Sequence, residues 1–302
     1  MMFRLILALL ALVPLATGAA MAQGGSQLAL SAIFAGENKL IATGLTWRVF
    51  RLQAEGEPVM VTQSSESAPV LPLAPGEYVV HAAYGLASST RKVLVGAATT
   101  TERLPIAAGA LLVKGSIQDQ IIPLNRLQVS IFIPQPGNSE GRLVTSGLRT
   151  GEVLRLPEGT YHVVSSYGDS NSIVRADIRV NSGKITEANM HHRAATITLK
   201  LVSNPGGEAR ANTAWSVLTP GGDVIREAIG AFPSMTLAEG DYVAIARNDG
   251  RVFQSEFKIK SGFDRDVEVL SREGQAPGEA ASGSQPLALP QATSPQRPAR
   301  RP

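Results

Sequence analysis

Five residues, Gly137-Asn138-Ser139-Glu140-Gly141, match G-x-S-x-G, which in hydrolases sets a nucleophilic serine on a strained strand-to-helix turn. SIFIP before it reads as a strand, but RLVTSGL after it is β-branched and broken by glycine, so no helix follows. A polar hairpin loop accounts for the match, and hydrolysis by Ser139 is the least favoured function. A general base is scarce, because the chain holds only four histidines. His81 and His162 follow tyrosines on strand-like runs, on the face opposite the rings, and read as outer-face or partly buried strand residues. His191 and His192 are adjacent, and neighbouring strand residues point to opposite faces, so one run does not aim both at a single ion. No H-E-x-x-H spacing accompanies them, and the pair is expected on a surface linker. Asp169, Asp223, Asp249, Asp264 and Asp266 read as loop carboxylates that turn chemistry explains. The chain has no cysteine, which removes disulfides, thiolate metal sites and cysteine catalysis. No glycine-rich phosphate loop opens a helix. The expectation is a protein that is not an enzyme, with no catalytic residue, no cofactor and no metal.

The elements that hold these residues come in a repeating series. LAPGEY (Leu73 to Tyr78) returns as LPEGTY (Leu156 to Tyr161) and LAEGDY (Leu237 to Tyr242), at intervals of 83 and 81 residues. Of five tyrosines, three end this frame, and the other two, Tyr84 and Tyr167, each lie six residues further on, with Asn248 in the third slot. Trp47 in TWRVF and Trp215 in AWSVL share another slot, taken by Leu127 in RLQVSIF. Before each of these slots lies an alternating run: LALSAIF, ALLVKGSI and TITLKLV. After each frame come two more extended runs, joined in the third copy by the hairpin pair Asp249-Gly250. Gly96, Gly183 and Gly262 precede a last strand in each copy. The repeats are set at 24–106, 107–194 and 195–270.

Six or seven short runs per copy, punctuated by turn residues, predict antiparallel β-sandwiches. The fold class is all-β: three tandem immunoglobulin-like or prealbumin-like modules. Period-2 alternation after the frame puts Tyr161, Val163, Ser165 and Tyr167 on one face. A leucine, a glycine turn and a tyrosine opening a strand resemble the tyrosine corner of immunoglobulin-like folds, where the ring lies in the core and the hydroxyl bonds a backbone group. Tyr78, Tyr161 and Tyr242 are the expected corners, Gly76, Gly159 and Gly240 give them backbone freedom, and Trp47 and Trp215 are expected in the core. On the motifs LPLAPGEYVV, LRLPEGTYHVV and MTLAEGDYVAI, residues 24–270 resemble the carboxypeptidase-regulatory-like and prealbumin-like β-sandwich repeats of bacterial exported proteins. That resemblance implies a seven-stranded sandwich and a non-catalytic adhesive, spacer or recognition role. The D-x-S-x-S metal motif of von Willebrand-type domains is absent.

The two ends differ from the repeats. Arg4, the apolar run Leu5 to Leu15 and Ala20-Met21-Ala22 read as a cleaved signal peptide, residues 1–22, with the mature chain starting near Gln23. Residues 271–302, rich in Pro, Gly, Ser and Ala, have no means of burying a core and are expected to be disordered. The isoelectric point of 9.3 comes from these ends. Removing Arg4 and the tail's net +2 from the chain's +3 leaves residues 23–270 formally neutral, so no basic face for nucleic acid is implied. The expected product is a periplasmic or secreted protein, not an integral membrane protein after cleavage. It would bind or scaffold in the cell envelope, with an unknown protein or polysaccharide as partner. Carbohydrate binding is the alternative.

Overall fold

A computed structural model describes residues 25–148 and 151–271. The expected signal peptide with its cleavage site, and the expected disordered tail after Ser271, lie outside the described residues.

The first repeat runs β1 (Gln27–Phe34), β2 (Leu45–Arg51), β3 (Val59–Ser64), β4 (Val70–Pro72), β5 (Gly76–Tyr84), β6 (Ala87–Val95) and β7 (Thr100–Ile106). The second runs β8 (Ala108–Ile117), a short β9 (Gln120–Ile121), a 3₁₀ turn at Leu124–Arg126, β10 (Leu127–Gln135), β11 (Asn138–Leu148), β12 (Val153–Pro157), β13 (Gly159–Tyr167), β14 (Ser172–Val180) and β15 (Ile185–His192). The third runs β16 (Ala194–Val202), β17 (Ala214–Leu218), β18 (Val224–Ile229), β19 (Ser234–Ala238), β20 (Gly240–Asn248), β21 (Arg251–Ile259) and β22 (Arg265–Leu270).

These strands make three pairs of sheets with one shared topology. A three-stranded sheet β4-β1-β7 accompanies a four-stranded sheet β3-β2-β5-β6; β12-β8-β15 accompanies β11-β10-β13-β14; β19-β16-β22 accompanies β18-β17-β20-β21. The chain is a set of tandem β-sandwiches. One feature departs from the antiparallel expectation: β1 pairs β7, and β16 pairs β22, in parallel. Both pairing directions leave the same period-2 burial pattern, so alternation in the sequence carries no information about direction.

Alternation sets what each strand buries. Along β5, Tyr78, Val80 and Ala82 face inward, and along β20 Tyr242, Ala244 and Ala246 do. Trp47 on β2 stands opposite Ala82, and Trp215 on β17 stands opposite Ala246. In each case the partner is the alanine four residues after the frame tyrosine, which puts indole, alanine and phenol on one inner face. Burying an indole removes roughly 150–250 Å² from water, on the order of 4–6 kcal/mol at about 25 cal/mol per Å².

By packing, the chain divides into two compact units. One is the described part of Met1–Ser116, with Ile121–Ser165 and Val174–Met190. The other is the described part of His191–Pro302, with two turns of the second repeat, Ile117–Gln120 and Ser166–Ile173.

Candidate functional site at the corners and hairpin tips

The three frame tyrosines have one geometry. Tyr78, Tyr161 and Tyr242 are 2%, 3% and 5% exposed. Each hydroxyl donates to the carbonyl four residues earlier: Tyr78 to Ala74 at 2.8 Å, Tyr161 to Pro157 at 2.8 Å, Tyr242 to Ala238 at 2.9 Å. The strand carries the ring into the core, and the preceding carbonyl meets a polar tip that would otherwise be buried without a partner. Burial pushes the Tyr161 hydroxyl above its ordinary pKa, and the Arg142 guanidinium partly opposes this. The neutral hydroxyl thus remains a donor. φ is +156° at Gly76 and +159° at Gly240, values that residues with a side chain rarely adopt, but Gly159 has no positive φ. The corner therefore does not itself require that conformation.

Both indoles are buried, and each ring N–H donates to a loop carbonyl, Trp47 to Glu66 at 2.9 Å and Trp215 to Gly230 at 3.0 Å. Leu127, in the middle copy's slot, is buried too. Asn248, in the slot of Tyr84 and Tyr167, turns its amide to the Ala211 carbonyl and the Thr213 hydroxyl.

The residues with chemical potential are dispersed. Gly137 is at a tight hairpin turn between β10 and β11, and Ser139 follows within strand β11, where no helix begins. His162 faces Asp177 across β13 and β14 at 2.8 Å, and His81 lies partly buried on β5. The histidine pair is not on a linker. Both residues belong to β15, His191 exposed and His192 only 1% exposed. Ala188, Met190 and His192 alternate inward, and that period places the second imidazole in the interior. There its Nδ1 lies 3.0 Å from the Ser172 hydroxyl and its ring meets Tyr167 edge-on. Burial lowers its pKa from 6.5 to about 4, so it is neutral at physiological pH. Asp264 accepts from the Thr196 amide at 2.7 Å, Asp266 pairs with Lys200, Asp223 closes a turn with Thr219, and Asp249 is in a turn at φ +48°. Among the described residues, no group of three or more His, Cys, Asp or Glu could hold a metal ion.

Two hairpin tips that the sequence did not single out, those after Tyr84 and Tyr167, make specific contacts. In the first unit, Gly85 turns at φ +63° and its Cα lies against Arg155 of β12. A Cβ there would stand 2.4 Å from the Arg155 Cβ and 2.8 Å from its carbonyl oxygen. Leu86 N–H donates to that carbonyl at 3.0 Å, and the Arg155 guanidinium covers the Tyr84 ring at 4.8 Å. In the second unit, Gly168 turns at φ +72°, and a Cβ on it would stand 2.5 Å from the Cβ of Thr236 on β19. Asp169 pairs with Arg226 at 2.5 Å. Asn171 donates to the Tyr242 hydroxyl at 2.9 Å and accepts from the Ala238 amide at 2.9 Å. Arg155 and Thr236 occupy the same place, directly before the frame leucine. One tip-on-edge contact is thus built twice. Its only local trace was a glycine after a tyrosine.

The fold defines a tandem β-sandwich repeat protein. Residues 196–271, from within β16 to just past β22, match the model of the Rhizobiales growth-associated tandem repeat domain. No curated protein matches the chain. Among solved structures, the Bacillus anthracis TIE protein is similar at 19% identity and a TM-score of 0.23, over 82% of this chain and 51% of that one. This chain therefore spans about half the length of that relative. GBS52, the minor pilin of Streptococcus agalactiae, is similar at 13% identity and a TM-score of 0.29, over 56% of this chain and 95% of that one. A streptococcal ancillary pilin is similar at 11% identity and a TM-score of 0.31, over 82% of this chain and 99% of that one. These descriptions name pilins and a tandem repeat, not the carboxypeptidase-regulatory-like family.

Proposed function

We propose that this is a non-catalytic structural or adhesive protein of the cell envelope, acting through tandem β-sandwich modules with boundaries near 106/107 and 194/195. The observation that carries the reading is the use of the aromatic side chains. Both indoles and all three frame phenols are interior and hydrogen-bonded to backbone, which is architecture and not site chemistry. The matching domain is described as a growth-associated tandem repeat, which supports a modular, non-catalytic role, and the leader-like residues 1–22 support export. No helix among the described residues is long and apolar enough to cross a membrane. Burial of Trp47 and Trp215 weighs against the carbohydrate alternative, since sugar sites need exposed aromatic platforms. The partner on this reading is an envelope protein or polysaccharide, and nucleic acid is not one.

The test is affinity capture from envelope extract with the mature chain, with and without residues 271–302, beside fluorophosphonate labelling. A defined partner retained by residues 23–270, with no labelling, is the expected result. Labelling of Ser139 would overturn the reading in favour of a hydrolase. Limited proteolysis near Ala107 and Ala194 checks the boundaries: a single resistant body cut only at the tail would refute independent modules.

A further inference from the structure

Among the described residues, the contact between hairpin tip and edge strand leaves one equivalent edge without a tip. β12 and β19 are edge strands of their sheets, and each is met by a glycine tip from the preceding repeat: Gly85 on Arg155, Gly168 on Thr236. β4 is the same edge strand in the first repeat, and Pro72 stands where Arg155 and Thr236 stand, directly before the frame leucine. Thr236 is buried under its tip and Arg155 is half-buried, but Pro72 is exposed and Val70 is 56% exposed.

We propose that the outer edge of β4, with Ala74 and Tyr78, is a docking site for the hairpin tip of a β-sandwich repeat on another polypeptide. The tip would carry Gly-x-x-Asn, as Gly168-Asp169-Ser170-Asn171 does. This deepens the scaffolding reading and rests on it.

Two details define the occupant. The first is the donor at the corner. Asn171 grips the third repeat by accepting from Ala238 N–H and donating to the Tyr242 hydroxyl. The first repeat offers the same pair, Ala74 N–H and the Tyr78 hydroxyl, which already donates to the Ala74 carbonyl and has lone pairs left to accept. The second repeat has Pro157 in that place, with no N–H to give, and its tip bonds through Leu86 N–H instead. The edge of β4 is therefore of the asparagine-accepting kind.

The second detail excludes another copy of this chain. Its third tip is Asp249-Gly250, and a Cβ on Gly250 would meet nothing within 4 Å among the described residues. Counted from the frame tyrosine, Asp249 holds the slot of Gly85 and Gly168. Seated in the same way, its Cβ would fall where the two existing contacts put a Cβ within 2.4 and 2.5 Å of the opposing Cβ. A head-to-tail contact between identical chains would propagate into an open filament, and Asp249 blocks that geometry.

The test uses the full mature chain, ¹⁵N-labelled, titrated with a head-to-tail cyclised hairpin peptide spanning Tyr161 to Ile178. Saturable shifts centred on residues 70–78, including the Ala74 amide, are expected. A peptide carrying Asn171→Ala should bind about tenfold or more weakly, the loss of two part-buried hydrogen bonds. Ala74→Pro in the chain should do the same, in a fold that tolerates proline at Pro157. The proposal fails if shifts are confined to residues 234–242, if Asn171→Ala in the peptide binds equally well, or if nothing saturates. Concentration-dependent self-association relieved by Ala74→Pro would make a second copy the occupant and overturn it as well. Failure on any of these counts leaves the scaffolding reading standing, since fluorophosphonate labelling and envelope capture decide that one separately.

Discussion

Asn171 and Tyr242 meet amide to hydroxyl at 2.9 Å, across 71 residues of sequence, and the same hydroxyl donates to Ala238. Tyr78 makes only the second kind of bond among the described residues. Removing the hydroxyl should therefore cost unequal amounts at two equivalent corners. Tyr78→Phe is expected to destabilise its repeat by about 1 kcal/mol, the net worth of one hydrogen bond, and Tyr242→Phe by about 2–3 kcal/mol, because the Asn171 amide also loses its acceptor. Urea unfolding of the two variants checks the ranking, and equal losses would show that Asn171 contributes nothing.

Trp47 and Trp215 each need the small residue opposite them. Ala82→Leu or Ala246→Leu should overpack that face and cost about 1–3 kcal/mol, with a shift in indole emission. In the unaltered chain, acrylamide should quench both tryptophans far less than free indole. Free access of the quencher would contradict the buried geometry and restore them as sugar platforms.

His192 makes stability depend on pH in a defined window. Its folded pKa of about 4 lies below its ordinary 6.5, so between those values the unfolded chain binds more protons than the folded one. Stability contributed by this site is therefore complete above pH 6.5 and lost as pH falls through 6.5 to about 4. The total loss is about 3 kcal/mol. Thermal unfolding of the unaltered chain and His192→Gln across pH 4–7 measures it. The variant should lose this part of the slope, and an unchanged slope would remove His192 as the cause.

Gly85 and Gly250 provide a matched comparison of the tip contact. Both turn at positive φ, +63° and +73°, so alanine at either costs about 1–2 kcal/mol of backbone strain. Among the described residues, only at Gly85 does the new methyl strike a neighbour, the Arg155 backbone and Cβ. Gly85→Ala should therefore also expose the Leu86 amide to hydrogen exchange, and Gly250→Ala should leave it protected. Equal protection in both variants would show that the tip does not bear on β12.

The strands and their triple recurrence were legible because they depend on local features: period-2 alternation, turn residues and a six-residue frame. Those features are enough to specify sandwiches, and the sheets have that architecture. The same alternation held the answer for His192, inward with Ala188 and Met190 on β15, yet the polar character of a histidine pair suggested a linker. Other features had no local signal. The parallel pairing of β1 with β7 and of β16 with β22 leaves the same burial pattern as an antiparallel one. The seating of Gly85 on Arg155, and of Gly168 and Asn171 on β19, joins residues about 70 positions apart.

By itself, the sequence determined that this chain folds as repeated sheets around inward phenols and indoles, because side-chain direction along a strand follows from neighbouring residues alone. Only the tertiary structure decided which carbonyl each hydroxyl reaches, which imidazole is buried and which edge strands carry a hairpin tip. Hydrogen bonding and close packing act between surfaces brought together by folding, and nothing in the spacing of one strand encodes what arrives at its edge.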